Sequence, residues 1–375
     1  MREQIEIGAG RTAAKAYELY DIDIVPSRRT RTSKDASTAW QIDAYRFDIP
    51  LLTHPTDATV SPATAVRIGQ LGGLAVLNAE GIWARHAEPE KALARVAAAA
   101  RSDDDTAANC VLQELHAEPI DEGLLTAALR QIADAGVTLA ARVSPQHAAE
   151  LAPLLVSAGV EILVVQGTII SAEHVARDGE PLNLSDFIGS LDVPVIAGGV
   201  GDYRTAMHLM RTGAAGVIVG HGLTNGVTST GDVLGIGTPM ATAIAEAAAA
   251  RRDYLDETGG RYVHVIADGS IDSSGDIAKA IACGADAVTL GVHLAAAREA
   301  PAGGAYWTTA AAHPSLPRSA VSVEDQDATL EELLFGPTSD PRGNRNLFGA
   351  LRRAMAKTGY SDLKEFQKVG LSVRG

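Results

Sequence analysis

The sequence predicts an α/β fold, a (β/α)8 TIM barrel, on three observations. A phrase recurs along the chain: a helical stretch, then a glycine, then a short apolar run. The runs are unbroken rather than alternating, which is the pattern of strands buried on both faces of a parallel sheet. Several of them end in polar or Gly-rich loops, and a barrel builds its active site at the C-terminal ends of its strands. A doubly wound open sheet uses the same units and is the alternative.

Taken in order, IPLLTH (49–54) supplies the first strand. The recurring phrase supplies five more, in RIGQLGGLAVLN (67–78), QIADAGVTLAARV (131–143), LLVSAGVEILVVQG (154–167), LMRTGAAGVIVG (209–220) and AIACGADAVTLG (280–291). Each glycine in the phrase suits a helix C′ position, where φ is positive. VPVIAG (193–198), YVHVIA (262–267) and NCVLQEL (109–115) are the other strand candidates. The barrel has eight places, so 109–115, which lies in a long connection after the second strand, is left outside it. Helices are expected at 121–135, 147–158, 202–212, 240–257 and 274–283. The loops that follow the strands include HPTDAT (54–59), NAEG (78–81), QGTIIS (166–171), GGVGD (198–202), GHGLTNGVTSTGD (220–232), ADGSIDSSGD (267–276) and GVH (291–293).

With 375 residues the chain can hold one barrel with insertions. It carries 32 Lys+Arg against 46 Asp+Glu, a net charge of −14. Such a surface repels phosphodiester backbones and anionic lipid, which argues against nucleic-acid and membrane partners. A single phosphate is still within reach of backbone N–H groups. Cys110 and Cys283 are the only cysteines. That excludes a disulfide framework and a multi-Cys zinc site, and no metal site is expected. No apolar run reaches the length of about 18 residues that a membrane helix needs, and the N-terminus has no signal-peptide core. The expectation is a cytoplasmic protein.

ADGSIDSSGD joins a strand to a helix. Ser273 or Ser274 can cap that helix, and its amides can face a phosphate. Asp268, at the strand tip, can hold a ribose diol or simply brace the loop. The spacing of Asp268, Asp272 and Asp276 does not match an EF-hand loop.

These residues, with DIDIVPSRRTR (21–31), VPVIAGGVGDYRTAMHLMRTGAAGVIVGHG, VLGIGTPMATAIAEA, VIADGSIDSSGDIAKAIACGADAVTLG and LFGALRRAMAKTGYSDLKEF (347–366), resemble the IMP dehydrogenase/GMP reductase family. They are most similar to its actinobacterial IMP dehydrogenase-related members. The resemblance implies a purine nucleotide ligand (IMP, XMP or GMP), NAD or NADP as cofactor, K+ at a loop site, and a homotetramer or octamer. Many such dehydrogenases carry paired CBS modules after the second strand. The stretch after Gly81 is too short for them, so one barrel domain is expected over 1–375, with an N-terminal extension, a helical insertion near 81–108, a flap-like segment near 297–328 and a C-terminal tail.

By the same resemblance Asp268, Gly269, Ser270, Gly291, Gly226, Gly198 and Gly199 fall at nucleotide-binding places, and Gln166, Gly167, Gly220 and Gly222 at cofactor places. Asp57 matches the family's first-loop aspartate. The departures are as informative. The family's nucleophilic cysteine is absent, and Thr228 stands at its place, or Ser229 if the loop register slips, with Thr230 two positions on. An alcohol ionises far above the thiol's value of about 8.5, so a covalent step would need an adjacent base. His221 is the nearest candidate. Cys110, read as part of a strand, and Cys283, at a helix end, do not replace the nucleophile. Gln166 replaces an aspartate, Val292 a serine, and 305–321 lacks the family's Arg-Tyr pair, holding only Arg318. The cluster Arg28, Arg29, Arg31 and Lys34 lies outside the barrel as a solvated face or subunit contact.

Two functional classes follow. One is an oxidoreductase taking IMP to XMP with NAD, or GMP to IMP with NADPH. The other is a barrel that binds a purine nucleotide for regulation or hetero-oligomerisation. A different reaction through His221 or His293 is a third reading.

Overall fold

The computed structural model describes residues 3–104, 106–172, 181–223, 234–309 and 320–374, with the side chains of 221–223 left aside. Eight parallel strands form one sheet. We number them β1 (Leu51–Thr53), β2 (Val76–Asn78), β3 (Ala140–Val143), β4 (Ile162–Gln166), β5 (Val195–Val200), β6 (Gly216–Leu223), β7 (His264–Gly269) and β8 (Ala287–Leu290). Each predicted barrel strand is present. β1 lies beside β8, and the order then runs back to β2. The seam between β1 and β2 closes through a parallel bridge from Leu52 to Leu74. Leu74 donates to the Leu51 carbonyl at 2.9 Å, and the Thr53 amide returns a bond to the Leu74 carbonyl at 3.0 Å. The unbroken apolar runs are explained by burial: β2, β3, β4 and β8 have no exposed residue.

The connecting helices are α1 (Pro62–Gln70), α4 (Glu122–Ala133), α5 (Ala148–Ser157), α6 (Leu184–Gly189), α7 (Tyr203–Arg211), α8 (Met240–Thr258) and α9 (Ser274–Ala282). Between β2 and α4 come α2 (Pro89–Ala99) and α3 (Ala107–Ala117). The strand expected at 109–115 is therefore helix α3. Ala108, Leu112, Leu115 and His116 are its buried residues, spaced at i, i+4, i+7 and i+8, so the 3.6 period decides the local structure. Cys110 consequently sits exposed on a helix, not in a strand. Leu93 and Val96 of α2, Leu112 and Leu115 of α3, and Tyr306 and Trp307 form a second, smaller core. Two-residue strands at Ala305–Tyr306 and Ser322–Val323 pair antiparallel in the segment expected to be flap-like.

The N-terminal end of the barrel is closed by charge. Asp286, just before β8, is fully buried and takes Arg251 Nη1 at 2.7 Å, Lys364 Nζ at 2.5 Å, Tyr262 Oη at 2.8 Å, the Val265 amide at 2.9 Å and Gln367 Nε2 at 3.1 Å. Burial opposes its ionisation, but Arg251 and Lys364 outweigh it and hold the carboxyl down at about 2. The C-terminal segment is thereby tied to the barrel floor. Among the described residues, no helix is long and apolar enough to cross a membrane.

Candidate active site

The site grows from the C-terminal tips of β1, β4 and β7. Asp268, on β7, is 4% exposed. Gln166, the last residue of β4, donates from Nε2 to Asp268 Oδ2 at 2.8 Å. His54, just after β1, places Nδ1 3.5 Å from the same oxygen. The Thr309 amide approaches His54 Nε2 at 3.5 Å, and the other ring nitrogen, Nδ1, faces Asp268.

The network continues across the mouth. Arg142, in β3, donates from Nε (3.1 Å) and Nη2 (2.7 Å) to the main-chain carbonyl of Gln166. Its Nη1 reaches Asn78 Oδ1 at 3.4 Å and Glu80 Oε2 at 3.7 Å. Glu80 also accepts from the Ser144 amide and lies 3.2 Å from His147 Nδ1. Burial raises the Glu80 pKa, but Arg142, Ser144 and His147 overcome it and leave the carboxyl below its ordinary value. Asp57 has the opposite fate. Its two oxygens are buried with no hydrogen-bond partner, and desolvation pushes it up to about 6 despite the nearby Ile82 amide and Asn78.

The glycines mark close approaches. A Cβ on Gly291 would lie 2.1 Å from the Tyr306 hydroxyl, so that phenol sits directly against the loop after β8. Gly220 has a φ of +106°, and its Cβ would lie 2.1 Å from the Asp268 carbonyl oxygen. The Gly167 amide donates to the Gly198 carbonyl at 3.0 Å, and the Ile170 amide to that of Gly199 at 3.2 Å, locking the β4 loop onto the end of β5. Gly269 closes β7, and Ser270 follows with a φ of +52°. Gly222 lies within β6.

Not every expected residue joins this group. Gly226, Thr228, Ser229, Thr230 and Arg318 lie outside the described residues, as does the His221 side chain. Ser273 caps α9. Three amides of this segment have protein acceptors: Ser274 donates to the Gly343 carbonyl at 2.8 Å, Asp272 to Asp276 Oδ2 at 3.3 Å, and Asp276 to Ser273 Oγ at 3.3 Å. His293 Nε2 lies 2.9 Å from the Asp272 carbonyl and braces two loops. Arg31 lies away from the mouth, donating from Nε to the Gly359 carbonyl at 2.6 Å. Cys283 is half-buried beside the core, and desolvation raises its thiol to about 12.

Sequence reasoning missed His54, Glu80, Arg142, His147 and Tyr306. A visible signal existed for one of them: Arg142 is the lone charge in LAARV, and a charge in a strand buried on both faces requires partners.

The IMP dehydrogenase / GMP reductase domain model matches residues 16–313. An "uncharacterized oxidoreductase" of Mycolicibacterium smegmatis is 64% identical over 372 residues, covering 98% of this chain and 99% of that protein. Another, from Mycobacterium tuberculosis, is 63% identical over 375 residues, covering 99% and 100%. The inosine-5′-monophosphate dehydrogenase of Aquifex aeolicus is 33% identical over 236 residues, covering 59% of this chain and 46% of that enzyme. The crystal structure of an IMP dehydrogenase/GMP reductase-like protein from Corynebacterium glutamicum superposes with a TM-score of 0.94 at 56% identity, covering 99% and 98% of the two chains.

Proposed function

From the premise that the chain belongs to the IMP dehydrogenase / GMP reductase domain family, we propose that it acts on a purine nucleotide as an oxidoreductase, taking IMP to XMP with NAD or GMP to IMP with NADPH. The observation that carries the reading is the buried Asp268 carboxylate at the barrel mouth, held from one side by Gln166 and His54. A carboxylate fixed in this way accepts a ribose hydroxyl through a charge-assisted hydrogen bond. Tyr306, packed against Gly291, brings a hydroxyl to the same end of the barrel. Water is excluded from Asp268 by burial, which strengthens each of these contacts.

The residues singled out for a nicotinamide cofactor are partly engaged within the protein. Gln166 has given its amide nitrogen to Asp268, the Gly167 amide is bonded to Gly198, and Gly220 packs on the Asp268 carbonyl. The same observation favours a second reading, a barrel that binds the nucleotide for regulation without turning it over. In either case the proposal is a cytoplasmic homotetramer or octamer.

Calorimetry tests the shared premise: IMP or GMP binds, and Asp268→Ala abolishes binding. Absence of binding by both nucleotides refutes both readings. Nicotinamide absorbance then separates them. Turnover with IMP plus NAD or GMP plus NADPH supports the oxidoreductase, and silence in both assays supports the binding protein.

A further inference from the structure

We propose that the N-terminal hairpin docks edge to edge on the C-terminal strand of a second copy of this chain; the inference rests on the homo-oligomer reading above and names the surfaces that join. Gln4–Gly8 and Arg11–Ala14 pair antiparallel, and both strands are exposed throughout. Ile5 and Ile7, 42% and 66% exposed, share one face with Ala13, which lies opposite Ile5. Gln4, Glu6 and Thr12 take the other face. The ribbon is amphipathic with its apolar side in solvent, and a two-stranded hairpin is marginal on its own in water. Among the described residues, 4–14 hydrogen-bond only with one another. The chain is first tied to the barrel at Tyr17, whose amide donates to Thr242 Oγ1 at 2.7 Å.

The receiving edge lies at the other end of the sequence. Leu371–Val373 pairs antiparallel with Ile22–Ile24, on one side only. The Val25 amide donates to the Gly370 carbonyl and the Arg374 amide to the Asp21 carbonyl, both at 2.8 Å. Antiparallel bonding alternates along a strand, so the main-chain groups of Leu371 and Val373 point to the open edge. Their side chains are 40% and 53% exposed. An open apolar edge is a template for a further strand. Charge selects the occupant. At a net −14, two copies repel, so a contact between them needs a local patch of opposite sign. Arg28 and Arg29, both exposed, follow directly on from Val25, and the exposed Glu6 sits between the two isoleucines of the hairpin. Hairpin and open edge belong to separate sheets of one chain, so each copy can give one and receive the other, the head-to-tail arrangement that closes copies into a ring.

The test is light scattering on the full-length protein, with Ile7→Asp and Val373→Asp as variants. Both positions are exposed, and thermal melts verify that the variants fold. Each substitution weakens association at least about tenfold, so the mass falls below that of the wild type at matched concentration. Mixed one to one, the two variants regain mass, because the hairpin of the Val373→Asp copy and the edge of the Ile7→Asp copy are both intact. Wild-type mass in either variant overturns the proposal and leaves the homo-oligomer reading standing. Loss of mass without recovery on mixing also overturns it, since the hairpin then meets some other surface. A monomeric wild type removes the homo-oligomer reading and this inference with it.

Discussion

Replacing Asp286 with alanine removes the acceptor that five groups share at the barrel floor. Arg251, 7% exposed, is then left buried and unpaired. Breaking a buried pair from one side costs about 3–5 kcal/mol. Unfolding entropy runs at about 2.1 cal/mol/K per residue, or about 0.8 kcal/mol/K over this chain, so Tm should fall by about 4–6 °C. The acid limb gives an independent handle. The shift of the Asp286 carboxyl from 3.8 to about 2 corresponds to roughly 2–3 kcal/mol. Because the folded value is depressed, that stability is present above about pH 4 and is lost as pH falls through about 2. Scanning calorimetry of wild type and Asp286→Ala checks the first figure, and acid titration of Tm the second. A variant melting within about 1 °C of wild type would refute the claim that this cluster holds the C-terminal segment to the barrel.

Asp57 predicts the opposite sign. Its carboxyl is raised by burial to about 6, so ionisation costs stability as pH rises from about 4 to about 6. Asp57→Asn should therefore stabilise the protein by roughly 2–3 kcal/mol near pH 8 and little near pH 4, read as the difference in Tm between the two conditions; an equal shift at both would discard the assignment. Gly81→Ala places a Cβ 2.1 Å from Asp57 Oδ1 and should cost about 1–3 kcal/mol by overpacking, seen in a denaturant melt. Iodoacetamide near neutral pH should alkylate exposed Cys110 at least about a hundredfold faster than Cys283, whose thiol is raised to about 12, as measured by peptide mass spectrometry.

The barrel was legible because its strands are buried on both faces and its helices end at glycine. Unbroken runs such as ILVVQ have few other uses in a chain of this size. The failure at 109–115 has the same root. NCVLQEL is a short run with apolar residues adjacent as well as spaced, and at that length a buried strand and an amphipathic helix look alike. Packing of Leu112 and Leu115 against α2 settles it, and that contact cannot be read locally. At the site, Asp268 was legible as a polar residue at a strand tip, and Gln166 through the family resemblance. That they meet was not. They are 102 residues apart, and their contact exists because closure of the sheet brings the tips of β4 and β7 to the same end of the barrel. His54 is hidden for the same reason, since HPTDAT read alone is an ordinary turn.

The two ends of the barrel differ in how they treat buried side-chain oxygens, and that difference bears on function. At the floor, Asp286 is saturated with donors and the cluster acts as a clamp, although the nitrogens Trp40 Nε1 and His264 Nδ1 beside it are buried without partners. At the mouth, both oxygens of Asp57, Gln166 Oε1 and the hydroxyls of Thr59 and Thr308 are buried without partners. Folding alone favours the first arrangement, because each unsatisfied group lowers stability. Local rules are broken where a site needs them broken. The orphan acceptors beside Asp268 are therefore better explained by a ligand that supplies donors than by packing, and calorimetry with IMP and GMP decides between the two.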